Sequence, residues 1–295
     1  MPDDYQLVTL ANGQVTLFSA SYGEKMHPGL GPQAEADLLY VRQLNIRERL
    51  AAAEAASSEF EFVIWDVGLG AAANAIAVMR ATPYIQIPGR LRIVSFDNTV
   101  EPLEFALKNA AALGYVSGYE DQLSELLLKK RTAFDNGSLH VQWEFHLADF
   151  PGWLSQGHGR GVVPPPHAIF YDAFSPAKNP AMWTLPVFQN LYRVLDPQRP
   201  CALTTYSRST VLRVTLLMAG FFVGVGHAAG LKEETTIAAN TLELISEPLD
   251  HRWLARAQRS HSAEPLREAV YSRAPLGPDS ISALVAHAQF APSAC

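Results

Sequence analysis

Phe62-Val63-Ile64-Trp65-Asp66-Val67-Gly68-Leu69-Gly70 is the stretch that decides the fold of this chain. Apart from Asp66, its first six residues are apolar, as in a strand covered on both faces. Two glycines end the run, and Ala71 to Ala81 continues as a helix. The first glycine permits a sharp turn, and the second lets a ligand approach where a Cβ would otherwise stand. The helix opening there turns unpaired N–H groups toward an electronegative part of that ligand. A dinucleotide fingerprint wants a third glycine, and Ala72 or Ala73 occupies its place. A mononucleoside therefore fits better than a pyrophosphate, although a plain strand-to-helix turn uses the same residues.

Downstream, strands and helices alternate. Leu91 to Phe96 reads as a second strand, Leu139 to Leu147 as a third, Ala168 to Tyr171 as a fourth and Cys201 to Tyr206 as a fifth. Helical patterns lie between them at Glu101 to Leu113, Glu120 to Lys130 and Trp183 to Leu195, with another at Thr210 to Ala219. Two late strands follow at Phe221 to Gly226 and Thr235 to Leu242. The alternation predicts an α/β fold with a mostly parallel, doubly wound seven-stranded sheet ending in an antiparallel hairpin. Upstream, Gln6 to Leu10 and Gln14 to Ser19 form a hairpin around Ala11-Asn12-Gly13. A loop over Tyr22 to Pro32 leads into a helix over Gln33 to Ala56, whose apolar stripe is Leu38, Leu39, Val41, Leu44 and Leu50. The expected organisation is one globular unit: an extension over 1–58, a ligand-binding core over 59–245 and a helical tail over 246–295 that frays at its end.

Of the 295 residues, 48% are hydrophobic and 18% charged, enough for a large core. A net charge of −6 argues against broad, non-specific nucleic-acid binding but leaves room for a local basic patch. Cys201 and Cys295 have neither disulfide-framework nor metal-ligand spacing, and Met1-Pro2-Asp3-Asp4 lacks the regions of a signal peptide. A cytoplasmic location is expected. Val214 to Leu231 holds no charge and approaches the length of a membrane span. Ala219-Gly220-Phe221 breaks it into helix, turn and strand, so no membrane segment is expected.

Ligands of such sheets lie beyond the carboxyl ends of the strands. Asp97 ends the second strand, where a carboxylate accepts ribose hydroxyls, and Asp149 follows the third, where one accepts from an adenine amino group. Singly, each is an ordinary strand-end or turn residue; with the glycines they point to an adenosine-containing ligand. Asp172, in Ile169-Phe170-Tyr171-Asp172-Ala173-Phe174-Ser175-Pro176, stands at the fourth carboxyl end. An acid there can orient an amine and take its proton, as in-line methyl transfer from a sulfonium requires, with Phe174 as a wall. Tyr22, His27 and Glu35 belong to a loop-and-helix segment able to cover the site. Arg208 and Arg213 flank the exit of the fifth strand as candidate phosphate contacts, whereas Lys129-Lys130-Arg131 complements a helix end. His140 and His146 share a strand face without a third ligand, so no metal site is expected.

Asp172-Ala173-Phe174-Ser175-Pro176-Ala177-Lys178-Asn179-Pro180-Ala181-Met182-Trp183 closely resembles the signature of the methyltransferase domain of the bifunctional tRNA 5-methylaminomethyl-2-thiouridine biosynthesis (MnmC) family. Asp66-Val67-Gly68-Leu69-Gly70 with Asn74, Thr204-Thr205-Tyr206-Ser207 with Arg213, Ala219-Gly220-Phe221 and Gly230-Leu231-Lys232-Glu233 resemble further blocks. The resemblance spans roughly Tyr22 to Asn240. It implies a class I, Rossmann-like methyltransferase that uses S-adenosylmethionine and acts on the aminomethyl group of a tRNA wobble uridine. Asp66, Gly68, Gly70 and Asn74 then join Asp97 and Asp149 at the cofactor, and Asp172 stands at the amine. Phe174, Lys178, Tyr206, Arg208, Arg213 and Lys232 face the substrate. Two departures stand out: Ala72 replaces a family glycine, and Lys232-Glu233-Glu234 replaces Lys-Arg-Glu. The family's flavin-dependent oxidase half has no room here, so a stand-alone version without flavin is expected. The alternatives are methyl or aminopropyl transfer to a small amine, and a cofactor-binding module without catalysis.

Overall fold

The computed structural model describes residues 4–56, 60–83, 89–157, 161, 163–229 and 233–291. Among them, eleven strands form two sheets. The smaller sheet is antiparallel, with β1 (Tyr5–Thr9), β2 (Val15–Ser19) and β3 (Glu24–Lys25) in that order. The first two strands are the expected hairpin. The third lies inside the stretch read as a loop, because two residues are too few to carry an alternating pattern.

The larger sheet contains β4 (Glu61–Val67), β5 (Gly89–Asp97), β6 (Arg131–Asn136), β7 (Leu139–Leu147), β8 (Ala168–Tyr171), β9 (Ala202–Thr205), β10 (Phe222–Gly226) and β11 (Thr235–Ala239). Its order is β10-β11-β9-β8-β4-β5-β7-β6. The five strands from β9 to β7 run parallel, and β11 is antiparallel to both β9 and β10. This is the mostly parallel, doubly wound sheet with a late hairpin that the alternation predicts. It has eight strands rather than seven. The additional strand, β6, pairs antiparallel with β7 through a turn at Gly137 and Ser138. Gly137 has φ +66, and Asn136-Gly137 between two alternating runs is the hairpin signal in the sequence.

Alternate residues of β4 supply both layers. Phe62 and Ile64 join the cluster that includes Ile76 and Val78 of the helix Ala73–Ala81. Val63, Trp65 and Val67 join the opposite cluster, with the helices Leu185–Val194 and Thr210–Ala219. The single helix expected over Gln33 to Ala56 is three pieces: Pro32–Ala36, a π-helical turn over Asp37–Arg42, and Ile46–Ala56. The last break falls at Asn45, whose φ of +48 is a left-handed conformation that asparagine tolerates better than most residues.

Beyond Ser246 the chain is only partly helical. Two short helices, His251–Gln258 and Pro278–Val285, flank a stretch of bends without regular structure, and Trp253, Leu276, Leu284 and Phe290 pack into the second cluster. The Gln289 side chain accepts from the Val223 N–H and donates to the Val223 carbonyl, both at 2.8 Å, covering the edge strand β10. Among the described residues no helix is long and apolar enough to cross a membrane. Residues 58–59, where the core was expected to begin, and Cys295 lie outside the described residues. Cys201 is buried, which pushes its thiol up to about 12 and leaves it unreactive.

From β4 the chain winds outward to β5 and β7, then returns to β8 on the other side of β4. That reversal opens a crevice beyond the carboxyl ends of β4 and β8.

Candidate active site

The crevice forms a cavity of about 560 Å³, within the usual range of small-molecule sites. Its floor is the turn after β4. Gly68 has φ +96, and a Cβ there would stand 2.7 Å from the Asp172 carbonyl oxygen. Only glycine lets this turn meet the loop after β8. The N–H groups of Gly68 and Leu69 donate to the Phe96 carbonyl at 2.9 and 3.1 Å, and the Gly70 N–H donates to Asp97 Oδ2 at 2.9 Å. Ala72, in the place of the third glycine, also has a positive φ, +63. Holding alanine in that left-handed conformation costs about 1 kcal/mol.

Asp97 and Asp149 both line the cavity. Burial raises the Asp97 carboxyl pKa, opposed by the N–H groups of Gly70 and Thr99. Asp149 also caps the helix Phe150–Ser155, accepting from the Gly152 N–H at 2.9 Å. Asp66 departs from the expected cofactor contact. It alternates with Trp65 and Val67 along β4, so its side chain enters the layer beneath the turn and does not line the cavity. There it is fully buried; Oδ2 accepts from Ser95 Oγ at 2.8 Å, while Oδ1 has no hydrogen-bond partner. Burial pushes its carboxyl up to about 7, opposed by the Ser95 hydrogen bond and reinforced by the charges of Asp172 and Asp97. Asn74, on the first turn of the following helix, interacts with Asp66 and donates from Nδ2 to Asp172 Oδ2 at 2.9 Å.

Asp172 follows β8, fixed by its own N–H donating to the Val67 carbonyl at 2.9 Å. Its side chain is 18% exposed, and His27 Nε2 stands 3.8 Å from Oδ2. Tyr40, fully buried on the π-helical turn, is a neighbour the sequence reading missed; burial and then the Asp172 charge hold its hydroxyl pKa well above the usual value. A π-helical turn, which often marks a functional site, has no sequence pattern that would have flagged it.

The segment after β2 makes the outer wall. Tyr22 stacks on Phe174 with ring centroids 4.0 Å apart and planes 15° apart. Glu24, also missed, accepts from the Ser175 N–H at 3.1 Å and from the Ser175 hydroxyl. Glu35 accepts from the Leu30 N–H at 2.6 Å and from the Gly29 N–H, which shapes the loop bearing His27. Tyr206 lines the cavity, its hydroxyl donating to the Ala173 carbonyl at 3.0 Å. Lys178 is exposed, with its ammonium beside Gly23. Arg208 is half-exposed, 4.0 Å from Glu233, and does not line the cavity. Arg213 is not the phosphate contact expected. Its side chain is 4% exposed, and its donors go to Thr236 Oγ1 (3.1 Å), the Thr235 carbonyl (2.8 Å) and Glu234 (3.2 Å), tying its helix to β11. Lys232 lies outside the described residues. Among the described residues no three His, Cys, Asp or Glu side chains are grouped to hold a metal ion.

A family model described as S-adenosyl-L-methionine-dependent methyltransferase matches residues 143–241, which carry Asp149, Asp172 and Tyr206. Over 288 residues, 92% of the chain, the sequence is 28% identical to the tRNA 5-methylaminomethyl-2-thiouridine biosynthesis bifunctional protein MnmC of Burkholderia vietnamiensis. The chain carries an S-adenosylmethionine-dependent methyltransferase domain that is similar to the methyltransferase part of MnmC. Its cofactor is S-adenosylmethionine. A turn that excludes a Cβ, beneath a cavity walled by two carboxylates, fits that nucleoside. The methyltransferase spans 40% of the length of the bifunctional Burkholderia protein. Its fold is shared by MNMC2 from Aquifex aeolicus, with a TM-score of 0.64 at 23% identity, covering 95% of this chain and 84% of that one. Spermidine synthase from Thermotoga maritima shares it more distantly, with a TM-score of 0.50 at 11% identity over 95% of this chain and 83% of that one.

Proposed function

We propose that this methyltransferase acts in the cytoplasm on tRNA, transferring a methyl group to the aminomethyl nitrogen of a wobble uridine. One observation carries the reading: the glycine turn after β4 and the acid loop after β8 touch, and Asp172 opens into the same cavity as Gly68 and Gly70. Asp97 serves the ribose hydroxyls and Asp149 the adenine amino group. Bound S-adenosylmethionine supplies an electrophilic methyl on a positively charged sulfur. The amine must meet it in line with a free lone pair. Asp172 accepts hydrogen bonds from the amine, which aims the lone pair, and takes the proton released as the N–C bond forms. Asn74 fixes that carboxylate before the substrate arrives, so little reorganisation is left for the reaction itself. Tyr22, Phe174 and Glu24 shield the site from water. Written this way, the transfer needs neither metal nor flavin.

The test is incubation with cofactor and tRNA bearing 5-aminomethyl-2-thiouridine, followed by nucleoside mass spectrometry. One added methyl group at the wobble nucleoside is expected. Untouched tRNA alongside a methylated small amine would reject the reading.

A further inference from the structure

We infer that the mouth of the cavity is a nucleotide clamp, in which Tyr22 and Phe174 part to take an unstacked base between them while Lys25 and Lys178 hold the flanking phosphates. This rests on the tRNA reading above and adds to it the residues that recognise the RNA. The two rings belong to separate parts of the chain. Tyr22 lies between β2 and β3 of the small sheet, and Phe174 lies in the loop after β8. Both line the cavity, and neither is fully buried. At 4.0 Å between centroids they fill one stacking layer, so admitting a base requires Tyr22 to withdraw by about one further layer, roughly 3.5 Å.

The attachment of Tyr22 allows this. Among the described residues its neighbour Glu24 is tied across the cavity through Ser175 alone, by hydrogen bonds that water can replace; the Tyr22 and Gly23 N–H groups are held by Ser19 on the same side, and β3 is two residues long. Phe174 is two residues past Asp172, so a base seated on its face brings a substituent on its ring toward that carboxylate. The charges agree. Lys25 lines the cavity and is exposed, and Lys178 places its ammonium beside Gly23, next to Tyr22. Among the described residues neither lysine is ion-paired, whereas Arg42, Arg92, Lys129 and Arg213 all are. Two cations without ion pairs beside an aromatic pair, at the rim of a cavity otherwise lined by carboxylates, form a stacking platform with an electrostatic guide, as in single-strand recognition.

The experiment measures binding of an anticodon stem-loop RNA to the full chain across a salt series, with calorimetry of the cofactor as the control for folding. Tyr22→Ala should weaken RNA binding about tenfold, and Tyr22→Phe should restore it. The double change Lys25→Gln and Lys178→Gln should lower the slope of log affinity against log salt by about 1.4, for two phosphates of a single strand. Cofactor affinity should hold in all three variants. If the wild type methylates tRNA but RNA affinity and salt slope stay fixed in the variants, the clamp is wrong and the tRNA reading stands. If the wild type leaves tRNA unmethylated, the reading itself fails, and the clamp with it.

Discussion

The floor of the cavity and its outer wall are fastened by different kinds of bond. The floor hangs from the sheet: backbone N–H groups of Gly68 and Leu69 reach the Phe96 carbonyl, Gly70 reaches Asp97, and Asp66 and Ser95 lie buried beneath. The outer wall is held within its own segment, by backbone bonds of Gly23 and Met26 to β2 and by Glu35 on the Leu30 N–H, and meets the floor's side of the cavity through one aromatic stack and the reach of Glu24 to Ser175. Disturbing the floor disturbs the core, where strain has nowhere to relax. Opening the wall exchanges part-buried hydrogen bonds to the Glu24 carboxylate, which contribute about 2 kcal/mol each. The side assigned to the cofactor is therefore built into the fold, and the side assigned to the substrate is the one that a local opening would release first.

Substitutions can break or sharpen that contrast. Asp172→Asn, at the seam between the two, should slow methyl transfer by roughly 10²- to 10⁴-fold while calorimetry shows cofactor binding intact. An unchanged rate would remove the proton-accepting role. Gly68→Ala attacks the floor. The Cβ clash and the strained φ should destabilise the fold by roughly 3 kcal/mol and abolish cofactor binding, which thermal melts and calorimetry would register together.

Asp66→Asn tests the buried layer. The folded carboxyl titrates near 7, whereas an unfolded aspartate titrates at about 3.9, so the folded state binds more protons between those values. Stability is lost as pH rises through that window. The melting temperature of the variant should gain on the wild type from about pH 4 to about pH 7. A gap that stays constant with pH would mean that Asp66 is ionised throughout.

Glu24→Ala loosens only the wall. The KM for RNA should rise about tenfold, with cofactor affinity and melting temperature nearly unchanged. A large drop in melting temperature would place this wall in the core instead. The smallest effect belongs to Ala72→Gly, which relieves a left-handed alanine in the floor and should stabilise by up to about 1 kcal/mol in a denaturant titration. A destabilised variant would show that the buried methyl contributes more through packing than its conformation costs.

The same contrast explains what the sequence discloses. The glycine turn, Asp97 and Asp172 are legible because each sits at the end of an apolar run, where local pattern and topology together fix its place. The wall is not, since Glu24 and Ser175 are 151 residues apart and only folding brings them together. Arg213 reads as an available cation because its partners, Thr235 and Thr236, arrive from another strand. Asp66 reads as a site residue because its distance from the turn is visible, while the face of β4 it occupies is decided by packing. The edge strand β6 was hidden by its short, polar alternation, although its Asn-Gly turn was in view.

The most direct measurement is a crystal structure of the chain with S-adenosylhomocysteine. Adenosine should lie along Asp97 and Asp149, with the thioether sulfur turned toward the Asp172 carboxylate. A sulfur facing away from Asp172, or a ligand seated outside the crevice between β4 and β8, would contradict it.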